Sequence, residues 1–166
     1  MHRYVHLGTC MDADCDPNAD VQRRIQSAMT AFAPISISVL GRSSTSSQVR
    51  LRIASSLVLS RLLYNVHTWA VITEFVLQKL GGVYMRVLRR ICGALRMLGN
   101  RISDAQVLWR LRAPRLVHLI RRNRLVYLAS VLRAPACHLR ALIAARKPDG
   151  SRQPWTEAVR ADLVEL

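Results

Sequence analysis

EFVLQKLGGVYMRVLRRICGAL, residues 74–95, carries apolar side chains at Leu77, Leu80, Tyr84, Leu88, Ile91 and Leu95. Steps of three and four place these residues on one side of an α-helix. Lys79, Arg86 and Arg90, spaced by seven and four, fall on the opposite side. The segment predicts an amphipathic helix with one stripe for a core and a basic stripe turned away from it. Gly81 and Gly82 interrupt the pattern. Each costs a helix interior about 1 kcal/mol relative to alanine, so this pair is where the helix would break.

Upstream, residues 47–69 predict a helix whose second half, with Leu57, Val58, Leu59, Leu62, Leu63, Tyr64 and Val66, is apolar on all sides, as suits the middle of a bundle. The serine-rich stretch 36–48, which contains Gly41, reads as a loop. Before it, Asp20 is a good N-cap for a helix that gathers Val21, Ile25, Ala28, Met29 and Phe32 on one face and leaves Arg23 and Arg24 off it. Pro34 is expected to end that helix. At the N-terminus Tyr4, Val5, His6 and Leu7 alternate briefly and stop at Gly8, which suits a short strand entering a turn.

Downstream, Ser103 is placed to cap a short helix reaching Arg112. Pro114 opens a longer helix to about residue 133, and Pro135 stops it. That helix turns Leu116, Ile120, Tyr127 and Val131 inward, while Arg115, His118, Arg122 and Arg133 share another face. A helix over 137–146, a loop at Pro148-Asp149-Gly150 and a last helix from Pro154, with Trp155, Val159 and Leu163, complete the chain. The expected fold class is mainly α: a helical bundle preceded by a short N-terminal strand or hairpin.

At 166 residues and 51% hydrophobic, the chain is long enough to bury a core. The longest uncharged stretches are 25–41, which contains Pro34, and 62–73, which is too short to span a bilayer. No membrane span is expected. The N-terminus lacks the apolar run of a secretion signal, so a nuclear or cytoplasmic location is expected. Cysteines at 10, 15, 92 and 137 are too dispersed for a disulfide framework, and reduced, mostly buried thiols are the default.

The formal net charge of +15 is unevenly spread. Residues 1–41 hold three basic and four acidic groups, for −1, and residues 147–166 hold the same balance. Residues 42–146 hold nineteen basic groups against Glu74 and Asp104, for +17. These boundaries divide the chain into an N-terminal segment (residues 1–41), a basic helical region (residues 42–146) and a C-terminal linker and helix (residues 147–166). The basic region cannot neutralise itself, so it must face solvent ions or a polyanion. Lys79 and Lys147 are the only lysines in the chain. Guanidinium forks suit phosphate oxygens and base stacking better than ammonium groups do. Coding bias that inflates arginine, together with a solvated surface, is the competing explanation.

Other chemistry finds little footing. Asp12, Asp14 and Asp16 have the alternation of a calcium loop, but Pro17 stands where the turn needs glycine and Arg23 where the closing glutamate belongs. A solvated turn explains them better. His2, His6, Cys10 and Cys15 offer zinc-type donors without a recognisable finger spacing, and Cys92 reads as core. No nucleophile elbow and no glycine-rich phosphate loop is present.

The basic residues recur instead. Lys79, Arg86 and Arg90 on one helix and Arg115, Arg122 and Arg133 on another, joined by Arg96, Arg101, Arg110 and Arg112, would line a phosphate-tracking groove if those helices lie side by side. Trp69, Trp109 and Trp155 are more often core than stacking platforms. Trp109, beside Arg110, is the one most worth testing.

Several strings, taken in order, sharpen this reading. Tyr4-Val5-His6-Leu7-Gly8-Thr9, then Val21-Gln22-Arg23-Arg24-Ile25 with Ala28 and Ala31-Phe32, resemble the end of the reverse-transcriptase domain of non-LTR (LINE-type) retrotransposons. Leu62-Leu63-Tyr64-Asn65-Val66-His67-Thr68-Trp69 is similar to that family's Leu-Leu-Tyr-Gly-x-Glu-Thr-Trp, and Leu88-Arg89-Arg90-Ile91-Cys92-Gly93 to its Leu-Arg-Arg-Ile-Leu-Gly. Arg101-Ile102-Ser103 with Val107-Leu108, Arg121 to Leu125, Val131-Leu132-Arg133, Pro154-Trp155 and Ala161-Asp162-Leu163 continue the order. Asn65 stands for the family's glycine, His67 for its glutamate, and Ala129-Ser130 for a Gly-His pair.

The resemblance implies the last palm strand plus a thumb-like helical region that grips the RNA template and nascent duplex. It places the Ala-Asp-Asp string, which binds the two metal ions, upstream of Tyr4. The parent enzyme, an RNA-directed DNA polymerase, would use Mg2+, whereas this chain would hold no cofactor and perform no catalysis itself. The expected partners are RNA or DNA and the remainder of the reverse transcriptase. Arg86, Arg90, Arg115 and Arg122 are the foremost expected contacts. Two other readings stand beside this one: a helical module whose arginines meet an acidic protein, and a remnant of a decayed element with no selected role.

Overall fold

The computed structural model describes residues 3–6, 9–12, 17–69, 72–93, 102–134 and 138–165. It is mainly helical. Strands β1 (Arg3–His6) and β2 (Thr9–Asp12) pair antiparallel, with Arg3 opposite Asp12 and His6 opposite Thr9, so the opening strand is half of a hairpin. Helices α1 (Pro17–Ile35), α2 (Ser47–Ala54), α3 (Ser60–Leu62), α4 (Glu74–Cys92), α5 (Asp104–Leu111), α6 (Leu116–Arg133), α7 (His138–Ala144) and α8 (Pro154–Val164) follow. None of the described helices is long and apolar enough to cross a membrane.

The chain forms two compact units: residues 1–64 with 74–115, and residues 65–73 with 116–166. Packing and charge therefore divide it along different lines. In the first unit α4 packs on α1, α2 and α5. Its buried residues are Val76, Leu80, Tyr84, Val87, Leu88 and Ile91. The expected stripe is wider than its leucines alone, because Val76 and Val87 are buried while Leu77 is only half-buried. The helix continues through Gly81 and Gly82, since buried residues in the turns on either side fix its register.

Three other helix expectations are corrected. Helix α1 begins at Pro17, so Asp20 lies within it rather than capping it. Asp20 and Arg24, one turn apart, are both buried and form an ion pair at 2.6 Å. The carboxylate lets a guanidinium occupy the face that also buries Val21 and Ala28. Pro34 does not stop the chain's winding. A π-type stretch, Ser36–Leu40, follows α1 and buries Leu40 while leaving Ile37 exposed, so half of the expected loop is helical. The helix expected over 47–69 is shorter: α2 runs through a π-type stretch, Ser55–Leu59, into α3, then turns at Asn65. Asn65 takes φ 53°, which right-handed helix cannot accommodate. Leu57 and Tyr64 are exposed, so the apolar run is not buried on all sides.

The second unit contains α6, α7 and α8. Leu116, Ile120 and Val131 of α6 are buried and Tyr127 is half-buried, as their spacing predicts. Tyr127 packs against His67 with ring centroids 4.5 Å apart and planes tilted by 38°, and meets Trp155 edge-on at 5.9 Å. The Trp155 indole N–H donates to the His67 carbonyl at 2.7 Å. On α8 Val159 is buried, but Leu163 faces solvent. Asp162 is buried instead, and accepts from Arg124 at 2.6 Å while Arg121 approaches within 3.6 Å. Arg124, itself buried, also donates to the Trp69 carbonyl at 3.3 Å.

An alanine Cβ at Gly81 or Gly82 would meet nothing within 4 Å. Gly81→Ala and Gly82→Ala should each stabilise the protein by about 0.5–1 kcal/mol in urea unfolding; a loss would show that the helix is not continuous there. Asp162→Ala strands a buried guanidinium and should cost about 3–5 kcal/mol, read from the melting of helical circular dichroism.

Candidate nucleic-acid interface

Helix α5 is short, yet it is tied at both ends. At its start the Ser103 hydroxyl accepts from the Gln106 N–H at 3.3 Å, and the Gln106 side chain accepts from the Ser103 N–H at 3.0 Å. This reciprocal cap satisfies two of the donors that open a helix. Arg89 of α4 donates to the Ile102 carbonyl at 2.9 Å and also pairs with Asp104. At its end the Ala113 and Arg112 N–H groups return to the carbonyls of Leu108 and Trp109, at 2.9 and 3.1 Å. The Tyr84 hydroxyl, again from α4, donates to the Pro114 carbonyl at 2.7 Å.

Those ties settle which face of α5 is covered. Val107 and Leu111 are buried. Ala105, Leu108, Trp109 and Arg112, at relative positions 0, 3, 4 and 7, share the other face. Trp109 is 80% exposed. It opens onto a recess of about 590 Å³ that Arg110, Arg112 and Arg115 also line, with alanines at 105 and 113. Among the described residues no acidic side chain lines it. Arg112 holds φ 49° at the helix exit, a conformation in which glycine is the default and other L-residues cost on the order of 1 kcal/mol.

The other expected contact residues fall in different settings. Arg86 is exposed on α4. Lys79, half-buried, holds its ammonium 4.0 Å from the centre of the Phe75 ring. Arg90 is drawn into the fold: its Nε donates to the Ser36 carbonyl at 2.7 Å, and its guanidinium lies against Gly41, where a Cβ would come within 2.9 Å. With Arg50 and the half-buried Cys92 it lines a second cavity of about 140 Å³. Arg122 and Arg133 are exposed on α6 of the second unit, as is His118. Arg96 and Arg101 lie outside the described residues, as do most of the residues considered, and set aside, as calcium or zinc donors. Among the described residues no group of three or more histidine, cysteine, aspartate or glutamate side chains is placed to hold a metal ion.

The structure thus brings Arg110, Arg112 and Arg115 together around Trp109. The second expected stripe is divided: Arg115 precedes α6 and lies in the first unit with Lys79, Arg86 and Arg90, whereas Arg122 and Arg133 lie on α6 in the second. Sequence reasoning misses the anchoring roles of Arg89 and Tyr84. Tyr84 is legible only as an apolar member of the α4 stripe, because its hydroxyl partner is thirty residues away.

The chain matches no protein-family model, no curated protein and no solved structure.

Burial pushes the Tyr84 phenol up to about 12 from its ordinary 10. A buried phenol favours its neutral form, so the unfolded chain ionises first as pH rises. The stability this group contributes is fully present below pH 10 and is lost as pH climbs towards 12. Urea unfolding of wild type and Tyr84→Phe across this range should show the variant less stable at neutral pH by about 1 kcal/mol and less steeply destabilised by alkali. Equal alkaline slopes would contradict the assignment.

Proposed function

We propose that this chain is the arginine-rich helical region of a non-LTR-type reverse transcriptase, which holds template and nascent duplex through backbone phosphates. The observation that carries this reading is what remains after internal pairing. Within residues 42–146 Asp104 pairs with Arg89, and Glu74 accepts from Gln78. Arg86, Arg110, Arg112, Arg115, Arg122 and Arg133 are exposed with no protein partner among the described residues. Fixed positive charges of this density bind polyanions by releasing condensed counterions.

The backbone at one departure from the family strings supports the same origin. The resemblance puts glycine where this chain has Asn65, whose φ is 53°. Glycine adopts that conformation at least cost and asparagine more readily than most residues, so the exchange preserves the turn. In this reading the metal-binding carboxylates belong to the palm of the parent polymerase. The chain itself performs no phosphoryl transfer, and the phosphates it holds are read with little base specificity.

Fluorescence anisotropy with labelled RNA, DNA and hybrid duplexes tests the reading. Neutralising about six phosphates should give a slope near −5 for log affinity against log salt. A flat response sinks the proposal. Displacement of bound RNA by an acidic polypeptide at equal charge would favour a protein partner instead.

A further inference from the structure

The recess beside Trp109 gives this reading a finer substrate class. We propose that it is a single-strand subsite: an unpaired base stacks on the Trp109 indole, and Arg110, Arg112 and Arg115 hold the flanking phosphates. The inference rests on the nucleic-acid reading above and goes beyond it, because a phosphate grip on duplex needs no aromatic surface.

Four observations carry it. A tryptophan 80% exposed sits on a helix fixed at both ends, so its exposure is not the fraying of a loose segment. Ala105, one turn before Trp109, and Ala113, just past the helix exit, are small and leave the volume in front of the indole open. That volume, about 590 Å³, lies within the ~300–1,000 Å³ typical of sites for small ligands, and is ample for a base. Finally, the polar lining is cationic, with three guanidiniums and no carboxylate among the described residues.

The end of a helix is its negative pole, and by itself it repels an anion. Here two terminal carbonyls are already engaged by the Ala113 and Arg112 N–H groups, leaving the field of the recess to the arginines. Arg112 reaches it from a backbone conformation that glycine would adopt more cheaply. The strained position projects a guanidinium at the rim, where a ligand can use it. Every nucleotide of a single strand offers the π-face of its base and a backbone phosphate, which is the ligand chemistry that one indole and several guanidiniums match. In a duplex those faces are stacked on their neighbours and closed to an indole.

The test compares a single-stranded RNA of about 12 nucleotides with a blunt duplex of the same length, using the full chain. Single strand should quench the share of the tryptophan emission that Trp109→Phe alters, and duplex should not. Trp109→Ala should weaken single-strand binding about ten-fold and leave duplex binding within about two-fold, whereas Trp109→Phe retains most of the affinity. Arg112→Gly should also weaken single-strand binding several-fold while melting no lower than wild type, which separates lost contact from lost fold.

Equal effects of Trp109→Ala on both nucleic acids, or on neither, overturn the subsite. If both ligands still bind with the steep salt dependence, the broader phosphate-grip reading survives that result. If neither binds at all, both readings fall. Quenching by polyglutamate as strong as by RNA would assign the recess to an acidic protein segment and likewise overturn it.

Discussion

A guanidinium cannot remain buried without a carboxylate or a set of acceptors, and this constraint organises the whole chain. Ten acidic residues face twenty-five basic ones. Among the described residues, each of the two buried guanidiniums meets a buried carboxylate, while other pairs, such as Arg152 with Glu157, lie at the surface. Asp20 holds Arg24 inside the first unit, Asp162 holds Arg124 inside the second, and Asp104 ties Arg89 to the start of α5. Arg50 and Arg90 are held in a different way, each donating to a backbone carbonyl, of Leu40 and Ser36 respectively. Each acid fixed at such a pair is unavailable to neutralise the surface. The exposed arginines of the central region are therefore a consequence of the same scarcity that makes the internal pairs indispensable.

The short helix α5 illustrates how rigid neighbours can present an adaptable chemistry. Eight residues seldom hold a helix alone, because nucleation is unfavourable at that length. A capping box, the Arg89 contacts and the Tyr84 hydroxyl supply from outside what the helix lacks within. With Val107 and Leu111 committed to the core, the opposite face has no neighbour among the described residues to cover Trp109. The exposed indole thus follows from anchoring. A looser helix could roll to bury it.

How much of this is legible in the sequence depends on the range of the interaction that decides each feature. The stripe of α4, the Ser103 cap and the inward face of α6 rest on residues three and four apart, and sequence displays them directly. The π-type stretches at 36–40 and 55–59 have no such signature, because they shift the phase of a helix in response to packing. In sequence Asn65 is one more polar residue inside an apolar run, and only its positive φ marks a turn. Arg24 and Arg124 read by charge as outward, although each sits at helical spacing among buried residues: Val21 and Ala28 for one, Ile120 and Val131 for the other. Asp162 has the same signature beside Val159. In an acid-poor chain, a charged residue on an apolar stripe is a sign of a buried pair. The recess is half visible, since Trp109 and its arginines adjoin in sequence, but its open volume depends on what α4 covers and leaves bare.

Charge repulsion links the fold to its proposed use. Seventeen net positive charges within residues 42–146 raise the free energy of any compact state that gathers them. Salt screens exposed guanidiniums over roughly 8–10 Å, but it hardly touches pairs that exclude water, such as Arg24 with Asp20. The buried pairs thus persist at any ionic strength, while the surface arginines carry an unfavourable field that counterions or a polyanion must relieve. A ligand that binds only the folded chain stabilises it by mass action. A phosphate backbone adds to this general effect by cancelling the repulsion that opposes folding. Single-strand stacking at Trp109 and phosphate contact at the neighbouring arginines would then act together, because the same ligand that fills an apolar surface also lowers the electrostatic strain around it.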